Sequence, residues 1–399
     1  MNRPWITRPW ITLAAVSMMF FLITATTFSS LGVVLPAMIG ELHWSWGGAG
    51  TGFSLLGVAA GVTATLPATM IRRFGVRATL VTGSLVMGAA FACLALTHGL
   101  PLYFLGCLLM GLGFALLATV PGTYLLTRIY ANPSFAFGLY FTVGGLGGVA
   151  GPILYLWVAA VSQDWRAYWL VSLVIVTLAG LLSAVLVDVK TDLHRDTDGT
   201  LGAASGEWPV KAAMRTRQFA ILAASYSIFL FVGITVNAVS VAHLMNHGVT
   251  AAVAAGMMST EALINAGARL AGGVAVRWIG AKSLLVLSLT MLIVGLAALS
   301  AARDLPLMLV YATGIGVGYG LTFFASTILL LDYFGRTPNL ELFAAINLIS
   351  TVGSGGPAFA GFVADRTGSF VPAFGILAVL VLLVLIAVAF MHRPQRSPA

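Results

Sequence analysis

Charge is what this chain has least of. Asp, Glu, Lys and Arg together supply 8% of its 399 residues, against about 25% in soluble domains. With 59% hydrophobic residues, that scarcity excludes a water-soluble globular fold. Cysteine is nearly absent too: Cys93 and Cys107 are the only two. Both fall inside apolar runs and read as small packing residues, so neither a disulfide framework nor a thiolate metal site is expected. No Gly-x4-Gly-Lys-Ser/Thr run occurs, so nothing is expected to couple ATP hydrolysis to work. Paired acids and histidine clusters are missing from the apolar runs, which argues against an enzyme acting inside the membrane. No cofactor or metal is expected.

What is present is length of apolar sequence. Twelve stretches stand out, at 12–39, 49–71, 78–97, 101–127, 135–161, 167–187, 218–242, 250–276, 283–302, 305–331, 342–364 and 370–391. Each reaches the ~20 residues that a helix needs to cross a ~30 Å hydrocarbon core. Barrel strands would instead read as alternating ten-residue segments. The first stretch is too long for the core of a signal peptide, and eleven more follow, so it is expected to be retained. The net charge of +8 is distributed by loop. Counting loops alternately, sixteen basic residues fall on one side and only Arg166, Arg303 and Arg366 on the other. The positive-inside rule then places both termini in the cytoplasm. A multi-pass protein of the cell inner membrane is expected, a monomer in lipid with no nucleic-acid partner.

The polar stretch after residue 187 reads as a linker (188–217) between an N-terminal six-helix bundle (1–187) and a C-terminal one (218–399). A shift of 205 residues superposes Gly75 on Gly280, Gly111 on Gly316, Gly113 on Gly318, Pro133 on Pro338, Gly148 on Gly353, Gly151 on Gly356 and Pro152 on Pro357. One offset held from helix 3 to helix 11 marks two parallel repeats. Gly314, Gly316, Gly318 and Gly320 have no strand before them, so they are small residues for close helix packing rather than a nucleotide loop. Gly144, Gly145, Gly147, Gly148 and Gly151 in helix 5, with Gly353, Gly355 and Gly356 in helix 11, are expected to form the faces that rock during transport.

Six plus six helices around a linker resemble the major facilitator superfamily, which the cytoplasmic loop signature Gly-x-Leu-Ala-Asp-Arg-x-Gly-Arg-Arg supports. Ala68-Thr-Met-Ile-Arg72-Arg73-Phe-Gly75-Val-Arg77 resembles it, and Gly273-Val-Ala-Val-Arg277-Trp-Ile-Gly280-Ala-Lys282 is a weaker copy. The resemblance implies an all-α membrane fold of two pseudo-symmetric bundles and a site at their midplane interface. It also gives Arg72, Arg73, Gly75, Arg77, Arg277, Gly280 and Lys282 a gating role. Both copies carry Arg, at 72 and 277, where the family has its latching Asp, so the cytoplasmic gate must close another way.

Arg269 is the one basic residue deep in an apolar segment, about eight residues from Arg277. That is ~12 Å along a helix, and a guanidinium at such depth costs roughly 2.5–3.5 kcal/mol on insertion scales. Glu261, Asn265 and Arg269 are spaced by four and share a face, with Glu261 outermost. Glu261 is too far along the axis for a direct pair with Arg269. The planar fork of Arg269 suits a carboxylate; the structural alternative is a cap on a broken helix or a water-bridged pair with Glu261.

The run from His243-Leu-Met-Asn-His-Gly248 through Ala266-Gly-Ala-Arg269-Leu-Ala-Gly-Gly looks like the monocarboxylate-transporter branch, with bacterial lactate carriers and, more distantly, oxalate–formate exchangers. The resemblance implies that Arg269 and Asn265 take the substrate carboxylate. There are three departures. Residues 20–35 lack the helix 1 lysine of animal members, residues 347–361 lack the second cation of oxalate–formate exchangers, and Asn265 stands where animal members have Asp. One membrane cation favours a monoanion over a dianion. Glu261 is then the candidate proton carrier, the alternative being a neutral carboxyl hydrogen-bonded at the outer vestibule. Tyr319 and Phe323, Ser350, Thr351 and Ser354, and Tyr124 are further expected cavity residues.

The expected function is proton-coupled symport of a small monocarboxylate such as lactate or pyruvate. An organic-anion exchanger or exporter on the same fold is the alternative. A multidrug exporter would need no arginine, and a non-transporting sensor would bind ligand without moving it.

Overall fold

The computed structural model describes residues 9–130, 134–187, 208–335 and 338–394. The expected linker lies outside these residues as far as 207, as does Pro133 of the repeat. The helices run α1 (Pro9–Thr26), α2 (Phe28–Leu42), α3 (Trp46–Val62), α4 (Leu66–Ala95), α5 (Leu100–Leu117), α6 (Thr119–Ile129), α7 (Ser134–Ser162) and α8 (Trp165–Leu186) in the first half. They continue as α9 (Val210–Met214), α10 (Arg217–Asn246), α11 (Ala251–Ala301), α12 (Leu305–Phe334), α13 (Asn339–Ser350), α14 (Gly356–Thr367) and α15 (Val371–Ala389) in the second. Ser45, Asp164, Thr216, Thr250 and Asp304 cap the starts of α3, α8, α10, α11 and α12 through their side-chain oxygens. Proline in the first turn, where an N–H has no partner anyway, starts α4, α5, α12, α14 and α15.

Among the described residues, ten continuous helical runs are long and apolar enough to cross a bilayer. Gly280 divides α11 into two passages, and α3 with the part of α4 before Gly75 supplies the last of the expected twelve. Gly75 (φ +84°, ψ 167°) and Gly280 (φ +73°, ψ 155°) break α4 and α11 internally. This backbone region is open essentially to glycine alone. The two positions are the matched pair of the 205-residue repeat, so the repeat is one of structure. A second matched pair follows the turns. Arg77 Nε donates to the Val187 carbonyl and Lys282 Nζ to the Ala389 carbonyl, each at 2.9 Å. Each cation thus ties the start of the third helix of its half to the carboxyl end of the sixth, where carbonyls lack helical partners.

Lipid is as apolar as the core, so these helices associate by close packing and not by a hydrophobic stripe. Gly147 and Gly151 admit the Phe21 and Ala25 carbonyls of α1, and Gly111 admits that of Leu56. This corrects the expectation for the glycine faces. Only Gly145 and Gly148 of α7 look across to the other half, toward Ala266 and Ala262. Gly144, Gly147 and Gly151 pack on α1, Gly353 and Gly356 pack on α10, and Gly355 meets nothing.

Four of the apolar segments are broken: at Thr27, over residues 63–65, at Ala118 (φ −79°, ψ −111°) and over Thr351–Gly355. At Thr27 (φ −103°, ψ −107°) the chain leaves α1 for α2. The Thr26 and Thr27 hydroxyls donate to the Leu22 and Ile23 carbonyls at 2.8 Å, and Ser30 bonds the Ala25 carbonyl. Residues Thr351–Gly355 form a 3-10 turn between α13 and α14, where Ser350 and Thr351 both donate to the Asn347 carbonyl. Backbone freed inside a membrane is stable only when it is bonded again in this way.

The halves meet along α2–α10, α3–α14 and α7–α11. Contact is tightest at the end away from Arg72, Arg73, Arg128 and Arg277, called here the far end. There Gly32 lies on the Asn237 carbonyl, Gly50 on that of Pro357, and Gly361 on that of Trp46. At the opposite, basic end α6 packs on α1, α4, α5 and α7, whereas α13 packs mainly on α9, α10 and α12. Among the described residues the halves are therefore shut at the far end and parted at the basic end.

Candidate functional site

Span 8, the first part of α11, is drawn against α12 by glycine. A Cβ at Gly316 would strike the Glu261 carbonyl, and one at Gly320 the Asn265 carbonyl and side chain. Gly314 and Gly318 of the same helix face span 9 instead, at Gly295 and Leu292. Alternate glycines of α12 thus seat two neighbours and fix Glu261 and Asn265 at short range from it.

Arg269 is half-buried. Its Nε donates to Asn265 Oδ1 at 3.0 Å, one turn earlier. Its guanidinium carbon stands 5.0 Å from the centroid of the Phe323 ring, and Tyr226 and Tyr319 lie close enough to interact with its charge. Among the described residues no carboxylate comes within 4.0 Å of it. Both terminal nitrogens are left without an acceptor among the described residues. Tyr319 is held by Gly233, against which its ring packs, and by Phe229 at 4.9 Å. Tyr226 lies 6.0 Å from Phe323 and 5.9 Å from Phe343. The group is a cation on an aromatic wall, with one amide fixing its orientation. Such an arrangement suits an anion whose apolar part can lie on the rings.

The structure brings Arg269, Asn265, Phe323 and Tyr319 together. Glu261 shares their helix but points elsewhere. It is 4% exposed and faces Tyr311 of α12, whose hydroxyl is 3.4 Å from Oε2, so it belongs to the interior of the second half. Ser350 is 1% exposed and bonded to its own helix. Thr351 and Ser354 abut Gly61 and Gly57 of α3 and so line the seam between halves. Tyr124 lies at the basic end, with Arg128 over its ring at 5.3 Å. There it lines a cavity of about 200 Å³ with Phe74, Gly75 and Arg77. Of the gating motif, Arg72, Arg73 and Arg277 are exposed, and Arg77 and Lys282 act within their own halves.

Sequence reasoning missed Tyr226, Tyr311 and Asp365. The tyrosines lie in apolar runs with no local cue. Asp365 had one: the run Gly361-Phe-Val-Ala-Asp365-Arg366-Thr-Gly368 carries the Gly-x-x-Ala-Asp-Arg-x-Gly pattern that the two basic-end loops lack.

The fold is similar to that of known transporters. The nucleoside transporter NupG superposes with a TM-score of 0.77 at 15% identity, over 96% of this chain and 98% of that one. A bacterial homologue of the human lysosomal transporter Spinster, in an inward-facing and unoccupied conformation, superposes with a TM-score of 0.68 at 16% identity, over 98% and 97%. No curated protein sequence is similar enough to this chain to count as a match. The sequence pattern of the Major Facilitator Superfamily matches residues 16–356, and with its twelve passages in two packed halves the chain belongs to that superfamily of membrane transporters.

Proposed function

We propose that this transporter carries a small monocarboxylate, of the size of lactate or pyruvate, by alternating access and in symport with a proton. The observation that carries the proposal is the Arg269 guanidinium, half-buried within a long apolar helix, with Asn265 as its one hydrogen-bonded partner among the described residues. A cation kept at such a cost without a protein counter-charge is explained by an anionic ligand. The neutral nucleoside of the NupG comparison would leave the charge unmatched. In this proposal the basic end is cytoplasmic, residues 1–187 and 218–399 are the moving halves, and the present state opens inward. Glu261 is the proton carrier, coupled to the site through α11 and α12, since its own partner is Tyr311.

Uptake of labelled lactate into proteoliposomes under an imposed pH gradient tests this. Native protein should accumulate lactate and Arg269→Ala should not; equal uptake by both would remove the proposal. Exchange is the second reading. Asn265, the residue bonded to Arg269, cannot carry a proton, and Glu261 faces Tyr311. Counterflow without accumulation would favour it.

A further inference from the structure

We propose that Asp365 is the latch of the far-end gate, holding the state open at the basic end by capping a helix of the opposite half. Asp365 lies in the last turns of α14. Its oxygens accept the backbone N–H groups of Trp46 at 2.9 Å and Gly47 at 2.8 Å, the first two residues of α3. Those N–H groups have no partner within their own helix, and they lie at its positive end. Ser45 of the first half caps only the next one, taking the Gly48 N–H at 3.1 Å.

The contact is reciprocal. The Ala358 N–H in the first turn of α14 donates to Ser54 Oγ of α3 at 3.0 Å. Two antiparallel helices, one from each half, therefore each satisfy the other's first turn. Glycine makes the approach feasible from both sides: a Cβ at Gly47 would strike Asp365 and Phe362, and one at Gly361 the Trp46 carbonyl. The Trp46 ring closes over Phe370, 5.1 Å between centroids. None of these bonds survives separation of α3 from α14.

Charge placement gives the latch its direction. The two signature loops at the basic end carry Arg72 and Arg277 where the signature has Asp and contain no acidic residue, so neither loop can cap a helix across the halves as Asp365 does. Of the other far-end carboxylates, Glu41 and Asp164 face Arg166 within the first half at 2.6 and 3.9 Å and Asp304 caps α12 within the second, so none of these contacts opposes opening. The carboxylate cap across the halves thus sits at the end that is shut. The inference rests on alternating access and not on the identity of the substrate.

The test places spin labels on the exposed far-end residues His98 and Arg303, one per half, through cysteine substitutions in full-length protein with Cys93 and Cys107 replaced by alanine. Distances are then measured in lipid without substrate. The native residue should give mainly the short distance. Asp365→Ala should raise the ratio of long to short by about tenfold, equal to about 1.4 kcal/mol, and Asp365→Asn, which keeps a neutral acceptor, should raise it less. Ser54→Ala should shift it in the same direction. The protein should stay folded, with its unfolding temperature lowered by no more than the same roughly 1.4 kcal/mol allows, a few degrees, since the open state lacks the cap as well. Distance distributions of Asp365→Ala that overlay the native ones would overturn the proposal. Because no substrate is present, that result would leave the carboxylate assignment standing.

Discussion

Replacing Arg269 separates a substrate-binding cation from a structural one. Nε is committed to Asn265, so a carboxylate would dock on the two terminal nitrogens as a parallel pair of charge-assisted bonds. Removing one partner of such a desolvated pair costs about 2–5 kcal/mol, and each 1.4 kcal/mol is about tenfold in Kd. Arg269 is half-buried, so water screens part of the interaction. The lower end of the range applies, and Arg269→Ala should weaken binding by roughly 30- to 100-fold. Arg269→Lys keeps the charge and loses the fork, for a loss of roughly tenfold. Stability should move little. No carboxylate is stranded, Asn265 Oδ1 loses one donor at about 1 kcal/mol, and removal of a buried charge offsets this. The assay is titration of labelled lactate onto the detergent-purified protein, with thermal unfolding of each variant measured alongside. Binding by Arg269→Ala within twofold of native would refute the argument. So would a collapse of stability in Arg269→Ala that Arg269→Lys escapes, because that is the signature of a structural cation.

Other substitutions follow from the same geometry. Gly148→Leu must fit a side chain where the nearest atom of the other half, the Ala262 Cβ, is 3.3 Å from a Cβ position; transport should stop while membrane insertion, followed by yield and gel filtration, stays normal. Gly280→Ala should cost about 1–3 kcal/mol although nothing lies within 4 Å, because the penalty is the positive φ itself. Gly267→Ala, equally uncrowded and in regular helix, should be neutral or stabilising by up to about 1 kcal/mol. Equal melting behaviour of the two would contradict the assignment. Glu261→Gln should still exchange labelled for unlabelled lactate but lose accumulation on a pH gradient. Retained accumulation would take the proton role from Glu261.

Much of the body plan was legible because bilayers impose length. The twelve apolar runs and the matched Gly75 and Gly280 survive in the structure. Arg269 and Asn265 were legible for a related reason: polar groups in an apolar run are rare, and spacing by four puts them on one face. Facing was not legible. A helix that is apolar all round carries no stripe to tell lipid from protein, so spacing puts Glu261 on one face with Arg269 whereas it turns to Tyr311, and it puts five α7 glycines at the seam where two belong. The break at Thr27 was hidden by hydroxyls that rebond the freed carbonyls within the same turn. The Asp365 contact spans more than 300 residues, and nothing local announces which helix end a distant carboxylate will cap.

The central claim is that the unmatched guanidinium selects for negative charge. Calorimetric binding of lactate and of lactamide, its neutral amide of nearly equal size, to the native protein tests it most directly. The account predicts that lactate binds at least about 30-fold more tightly, and that the difference vanishes in Arg269→Ala. Equal affinity of native protein for the acid and the amide would contradict it.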